Sequence, residues 1–267
     1  MFIVVLCKEA FVPENIIYYE QPLNEKIRTF MRLEHLFLQS EHDFMGDDIW
    51  QSRSAINTLI EILAIFNRAD LKTDFIKELE RHAKTLEKME QNPAVDHNRL
   101  AELLREMNHL AQYFHDFNGS LCSQLKQDEF LNTITQRSSI PGGSCSFDIP
   151  EYHHWLKQPP ELRYEITKKW YSVFETPKKT IMLLLNIMRN SSLPTQQTAN
   201  NGFFQETLDP NLPCKIIRVA VPANLPFYAE ISGGKHRFVI RFINSALSEQ
   251  SGQTTNDIDF ELTRCIL

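Results

Sequence analysis

The stretch Ile231-Ser-Gly-Gly-Lys-His-Arg-Phe-Val-Ile-Arg-Phe242 restricts this chain more than any other. Two glycines open a turn, and eight residues then alternate. Successive side chains of a strand point to opposite faces. One face carries Lys235, Arg237, Val239 and Arg241, and the other carries His236, Phe238, Ile240 and Phe242. The apolar face demands burial, and a slip of one residue would exchange the two faces, so the register is set. The cationic face then stands out at intervals of about 6.6 Å, two strand rises per step. Such a comb points to an anionic partner. It also admits two ordinary readings: a solvated face, or charges that guard a sheet edge against unwanted pairing.

The comb stands against the bulk charge. The chain has 267 residues, 28 Lys and Arg against 34 Asp and Glu, and a net charge of −6. That argues against a general nucleic-acid coat protein and leaves room for a local basic site. The length suits one large domain or two ordinary ones. A hydrophobic share of 42% predicts a packed soluble core. Five scattered cysteines (Cys7, Cys122, Cys145, Cys214 and Cys265) include no C-x-x-C pair, which reads as reduced thiols in a cytosolic protein. Met1 to Cys7 is too short an apolar run to span a membrane, which takes about 20 residues. Its charge, Lys8, follows the run, unlike a secretory signal. Residues 1–15 are expected to be a disordered extension, and no membrane insertion is expected.

Chemistry-bearing clusters are sparse. Cys145 with His153 and His154 resembles a metal site, yet adjacent histidines diverge on a helix and no second pair completes four ligands. These residues read instead as structural, beside a buried Trp155. Gly142-Gly143 and Gly233-Gly234 lack the context of a phosphate loop, and there is no G-x-S-x-G. No metal, no cofactor and no enzymatic activity are expected.

Residues 22–193 read as helix after helix. Pro22 suits a first turn, followed by Leu23, Ile27, Phe30, Leu33 and Phe37 at helical spacing. Asp47-Asp48, Asp70 and Asp96 are cap candidates for the next three helices. A shorter helix covers about 127–137. Residues 138–150 hold too many turn residues for a regular element, with Ile140, Phe147 and Ile149 as anchors. The segment from Pro177 to Asn190 is apolar nearly all round. It is therefore either the core of the helical part or a subunit interface, with Ile181, Leu184, Leu185 and Met188 as the candidate seam. Residues 191–201 are polar and read as the domain boundary. Beyond it the period becomes two, with strands over 215–221, 237–242 and 258–266. The expected class is α+β: an N-terminal all-α helical domain over 22–193, then a small mainly antiparallel β domain over 202–267. A strand over 16–20 would complete that sheet.

Several of these stretches together resemble the ZapD family of FtsZ-associated bacterial division factors. They are Tyr19-Glu-Gln-Pro-Leu-Asn-Glu-Lys-Ile-Arg-Thr-Phe30, Lys77-Glu-Leu-Glu-Arg81, Gln136-Arg-Ser-Ser-Ile-Pro-Gly-Gly-Ser-Cys-Ser-Phe-Asp148, His154-Trp-Leu156, Gly202-Phe-Phe-Gln205, Ile231 to Phe242, and Asp259-Phe-Glu-Leu262. The resemblance runs from about Ile17 to Cys265. Residues 1–15 have no counterpart. It implies a non-enzymatic cytoplasmic dimer that is recruited to midcell and binds the C-terminal tail of FtsZ. It also implies crosslinking and bundling of protofilaments, with lowered FtsZ GTPase activity. The family's basic pocket carries over onto Arg237 and Arg241, with Lys235 on the same face. Arg68, in Phe66-Asn-Arg-Ala-Asp-Leu71, is a looser carry-over from the helical part. Two rivals are a nucleic-acid binder that uses the same comb, and an enzyme built on Cys145 and His153. The acidic net charge and the inward aromatics count against the nucleic acid.

Overall fold

The computed structural model describes residues 15–44, 46–93, 95–245 and 252–267. The extension expected over 1–15 lies outside these but for its last residue. The class is α+β: among the described residues one strand precedes eight α-helices and six strands follow, in two antiparallel sheets.

The helices begin at side chains that accept from otherwise orphaned backbone N–H groups. Asn24 Oδ1 accepts from Ile27 N at 2.9 Å to open α1 (Glu25–Phe44). Asp48 precedes α2 (Ile49–Arg68), and its N–H donates to Gln51 Oε1 at 3.2 Å. Asp70 accepts from Thr73 N at 3.3 Å at the start of α3 (Leu71–Glu87). Asp96 takes Asn98 N and Arg99 N, at 3.0 and 3.1 Å, before α4 (His97–Asp116). Asp128 accepts from Leu131 N at 2.9 Å for α5 (Glu129–Ser138). Prolines lead α6 (Pro150–Leu156) and α7 (Pro160–Ser172), and α8 is Glu175–Arg189. Pro22, expected in the first helical turn, instead ends β1 (Ile16–Pro22). Leu23 N still donates to Lys215 O at 2.9 Å, so sheet pairing runs past the proline and delays the helix.

The chain divides into two compact units. One joins Thr29–Leu79 to Asn108–Met182. Its interior is aromatic: Phe75 lies between Phe30 and Phe114, with centroids at 5.4 and 5.0 Å, and Phe66 meets Phe174 at 5.0 Å. The buried Arg163 donates to Asp47 O at 2.6 Å and Ser52 Oγ at 2.7 Å, pinning α7 to the start of α2. In the loop over 139–149, Ile149 is buried as expected. Phe147 is not an anchor, being 80% exposed, and Ile140 is exposed too. The backbone holds this loop instead, through turn bonds such as Gly143 N to Ile140 O at 2.8 Å. Arg53 Nη1 adds a bond to Ser144 O at 3.3 Å.

The α8 side chains settle one alternative. Ile181, Leu184, Leu185 and Met188 are 0% exposed within the single chain. They are core, and the dimer seam expected there is corrected. A helix apolar all round needs cover on every side, and its own chain supplies it.

The other unit contains Glu80–Met107, the chain from Leu183 onward and the described residues before Thr29. It is built on two antiparallel sheets. The first has strand order β1-β4-β7-β2, with β2 (Thr195–Ala199), β4 (Ile216–Pro222) and β7 (Ile258–Cys265). The second has order β3-β6-β5, with β3 (Phe203–Thr207), β5 (Phe227–Gly233) and β6 (Arg237–Asn244). They share one apolar core, where Phe260 of β7 meets Phe242 at 5.3 Å and Phe204 at 5.4 Å. The strand expected over 16–20 is β1, and it extends the first sheet rather than the one with the comb.

The polar segment 191–201, expected to be a boundary, holds the edge strand β2. Its pairing with β7 is reinforced by side chains: Thr198 Oγ1 donates to Asp259 Oδ1 at 2.7 Å, and Gln196 Nε2 to Glu261 Oε1 at 3.0 Å. An exposed edge strand needs no apolar alternation, which is why composition concealed it. Gly202 then turns the chain into β3 at φ 68°, and a Cβ there would lie 2.6 Å from Thr254 Cγ2. Among the described residues, no helix is long and apolar enough to cross a membrane.

Core status for α8 has a measurable consequence. Leu184→Ala should lower unfolding free energy by about 2–5 kcal/mol in urea titrations. It should leave the light-scattering mass unchanged at concentrations where the variant is folded. A loss of oligomer mass without loss of stability would restore the seam.

Candidate functional site

The comb sits on β6, and β6 is the central strand of its sheet. A strand paired on both sides has no free edge, so the edge-guarding reading does not apply. Phe238, Ile240 and Phe242 are fully buried. Each contributes about 1.5–3 kcal/mol by leaving water, and together they hold the register. Arg237 and Arg241 are exposed on the opposite face, with Val239 partly buried between them.

The strand begins at Arg237, as expected over 237–242, but the alternation of faces read from Lys235 does not extend to the two residues before it. Lys235 and His236 lie in the hairpin turn, which Gly234 N closes by donating to Arg237 O at 3.0 Å. His236 is therefore exposed rather than on the buried face. Its carbonyl accepts from Leu208 N at 2.8 Å, continuing the β3 side of the sheet into the turn. Gly233 is required for close packing. A Cβ there would stand 2.7 Å from Phe238 Cβ and 3.2 Å from Leu23 Cδ2.

Residues paired across antiparallel strands share a face, so the register names the comb's neighbours. On β3, Phe203 opposes Arg241, Gln205 opposes Val239 and Thr207 opposes Arg237. On β5, Glu230 opposes Arg241 and Ser232 opposes Val239. Phe203 is 38% exposed. An open cavity of ≈ 490 Å³ collects Lys235, Arg237 and Arg241 with Phe203, Gln205 and Ser232. The structure thus brings together three of the four expected binding residues. The fourth, Arg68, is exposed at the last position of α2, in the other compact unit. Sequence reasoning missed Phe203, Gln205, Ser232 and Glu230. The Gly202-Phe-Phe-Gln205 motif was a signal for the first two, but only the register gives it a place.

The comb's cations have no internal use. Among the described residues, the side chains of Lys235, Arg237 and Arg241 make no hydrogen bond or ion pair. Other arginines of the same unit are committed. Arg264 holds Glu206 through two bonds of 2.6 and 2.5 Å. Arg189 Nε and Nη2 hold Glu20 at 2.9 and 2.7 Å. Arg218 Nε lies 3.4 Å from Glu20 Oε1, with its guanidinium 3.8 Å over the Tyr18 ring. Charge that the fold does not consume is available to a ligand, and a planar guanidinium suits bidentate carboxylates.

The rival chemistry finds little geometry. Among the described residues no group of three or more His, Cys, Asp or Glu could hold a metal. Cys145 is exposed. Burial pushes the thiols of Cys122, Cys214 and Cys265 up to about 12, which leaves them protonated at neutral pH.

Known proteins place this fold and face in context. Residues 31–241 match the ZapD family, described as a cell division protein. The cell division protein ZapD of Methylococcus capsulatus is 41% identical over 254 residues, 95% of this chain and 100% of that protein. The ZapD of Nitrosomonas europaea is 34% identical over 253 residues, 95% of this chain and 96% of its own. That of Coxiella burnetii is 34% identical over 251 residues, 93% and 97% of the two chains. The molecule is a cell division protein of α+β architecture. It belongs to the ZapD family.

Two measurements test these assignments. Arg237→Ala and Arg241→Ala should each change unfolding free energy by less than about 0.5 kcal/mol. Arg264→Ala, which strands the Glu206 carboxylate, should cost about 1–3 kcal/mol. A comb arginine as costly as Arg264 would show that the fold depends on it. In the native protein at pH 8, iodoacetamide should modify Cys145 well before Cys122, Cys214 and Cys265, followed by peptide mass analysis. Equal rates would contradict the burial of the three thiols.

Proposed function

We propose that this chain is a non-enzymatic division factor that binds the C-terminal tail of FtsZ through the outer face of β6. The observation that carries the reading is the uncommitted charge of Lys235, Arg237 and Arg241, displayed by a central strand and the turn that leads into it, with the reverse face of the strand locked in the core. Membership of a cell division family supports it. Arg68 is a further candidate contact from the helical part, outside the comb.

In this reading the chain works as a dimer at midcell, in the cytoplasm. Each copy offers one basic face to one tail. A second tail captured by the same dimer binds in an effectively intramolecular step, so weak single contacts suffice to crosslink filaments. Bundled protofilaments then stabilise the Z-ring and hydrolyse GTP more slowly. The helical part, residues 22–193, is the proposed dimerising part, through surfaces other than the buried side chains of α8. Residues 202–267 with β1 are the proposed tail-binding part.

A second reading, single-stranded nucleic acid, has one observation in its favour. The aromatics of β6 point inward, yet Phe203 and Tyr228 from the neighbouring strands stand on the outer side, 38% and 37% exposed. Base stacking on such rings accompanies a basic groove in single-strand binders. The net charge of −6 opposes it. Retention of single-stranded DNA on filters at two salt concentrations separates the two.

Arg237→Glu combined with Arg241→Glu should leave the circular dichroism spectrum and the mass in solution intact, and abolish co-sedimentation with FtsZ. Wild-type co-sedimentation should weaken as salt rises, because exposed charges are screened over about 8 Å at physiological ionic strength. Undiminished bundling by the double variant would remove the face from the mechanism.

A further inference from the structure

The outer face is graded along β6. At the hairpin end stand Lys235 and Arg237. Thr207 opposes Arg237 from β3, and Gly234 lies on the other side, bonded to the Arg237 carbonyl. A Cβ built on Gly234 would meet nothing within 4 Å, so that flank of Arg237 is open. At the far end Arg241 stands between Phe203 on β3 and Glu230 on β5. Tyr228 follows, opposite Ile243. Glu230 is exposed, and it is the acidic residue among the outward positions of these three strands.

Directly opposed residues have Cβ atoms about 4.5–5.5 Å apart. A group held close to the strand beside Arg241 therefore also meets Glu230. Arg237 and Arg241 are four residues apart, about 13 Å along an extended strand. An extended ligand that lies along the strand therefore meets the two attachment points one after the other. The two arginines thus present different electrostatic environments to different parts of one ligand: open and cationic at Arg237, balanced and aromatic at Arg241.

We infer that Glu230 makes this face directional, so that it takes an extended peptide with its carboxylates gathered over Lys235 and Arg237 and an uncharged apolar segment over Arg241, Phe203 and Tyr228. Arg241, with Glu230 beside it, serves a neutral acceptor such as a peptide carbonyl. A carboxylate placed there meets Glu230 and is repelled, which is specificity by exclusion. The inference rests on the proposal that this face binds an acidic peptide, and it adds which end of the face takes the acid.

The test uses the full-length chain and fluorescein-labelled ten-residue peptides of one composition, two Asp and a central Leu-Phe. Two peptides carry both Asp at one end, N-terminal in one and C-terminal in the other. A third carries one Asp at each end. Fluorescence anisotropy should show one clustered peptide binding more tightly than the split peptide. Glu230→Gln should tighten the split peptide about two- to fivefold, in the range of an exposed charge pair, and change the preferred clustered peptide by less than about twofold. Equal binding of all three by the wild type would overturn the inference, as would a Glu230→Gln effect of the same size on clustered and split peptides. Arg237→Glu with Arg241→Glu serves as the control on the site itself. If that variant binds the clustered peptide as the wild type does, or if the wild type binds none of the three, the face is not the binding site and both proposals fall. If it loses binding while Glu230→Gln does not discriminate, only the direction falls.

Discussion

The packing of Phe238, Ile240 and Phe242 against the opposing sheet is the contact on which the rest of this structure depends. Phe260 of β7 touches Phe242, and Phe204 bridges Phe238 and Phe260. A strand has only two faces, so burying these three side chains leaves Arg237 and Arg241 outside. A slip by one residue would drive both guanidinium groups into an apolar core, at several kcal/mol per buried ion. Gly233 belongs to the same constraint, since the backbone of β5 approaches Phe238 too closely for any side chain there.

The arginines of this unit divide into two groups. Arg264 joins β7 to Glu206 of β3, tying the two sheets together at one side. Arg189, at the end of α8, and Arg218, on β4, converge on Glu20 of β1. These pairs are partly buried, where screening by solvent is weaker and a lost partner leaves a stranded charge. Arg237, Arg241 and Lys235 hold no such position. The place of Arg237 and Arg241 on a central strand, with Lys235 in the turn that leads into it, orders the attachment points of the side chains before any ligand arrives, which reduces the entropy lost on binding. Glu230 is near enough to temper Arg241 but makes no ion pair with it among the described residues. The face is therefore not uniformly basic.

Much of the helical part was legible. Asp70 and Asp96 stand at helix starts because a short polar side chain reaches the backbone N–H groups two or three residues on, and at Asp48 the Gln51 side chain reaches back to its N–H, a purely local matter. Pro22 was misplaced because pairing with β4 extends β1 through it, and β4 lies almost 200 positions away in sequence. β2 escaped notice because its side chains bond to those of β7 rather than alternate in polarity. β3 is short, and the inward residues of β3 and β5 gain meaning only beside β6. The circumference of α8 is apolar whether it is core or interface, and only its complete burial decided for core. Phe147 was expected inside, and a loop held by its own backbone leaves it outside.

The sequence by itself determined the caps, the α+β order and the two-faced character of residues 237–242, because each rests on neighbours within a few positions of the chain. Tertiary structure decided that β6 is central rather than an edge. It placed Lys235 and His236 in the turn, and it set Phe203 and Glu230 on either side of Arg241. Those facts depend on which strands close against one another and in what register. Phe203 and Arg241 are separated by 38 positions along the chain and meet only through the ladder between β3 and β6. Periodicity tells a strand which way its side chains point. It carries no information about what stands beside them.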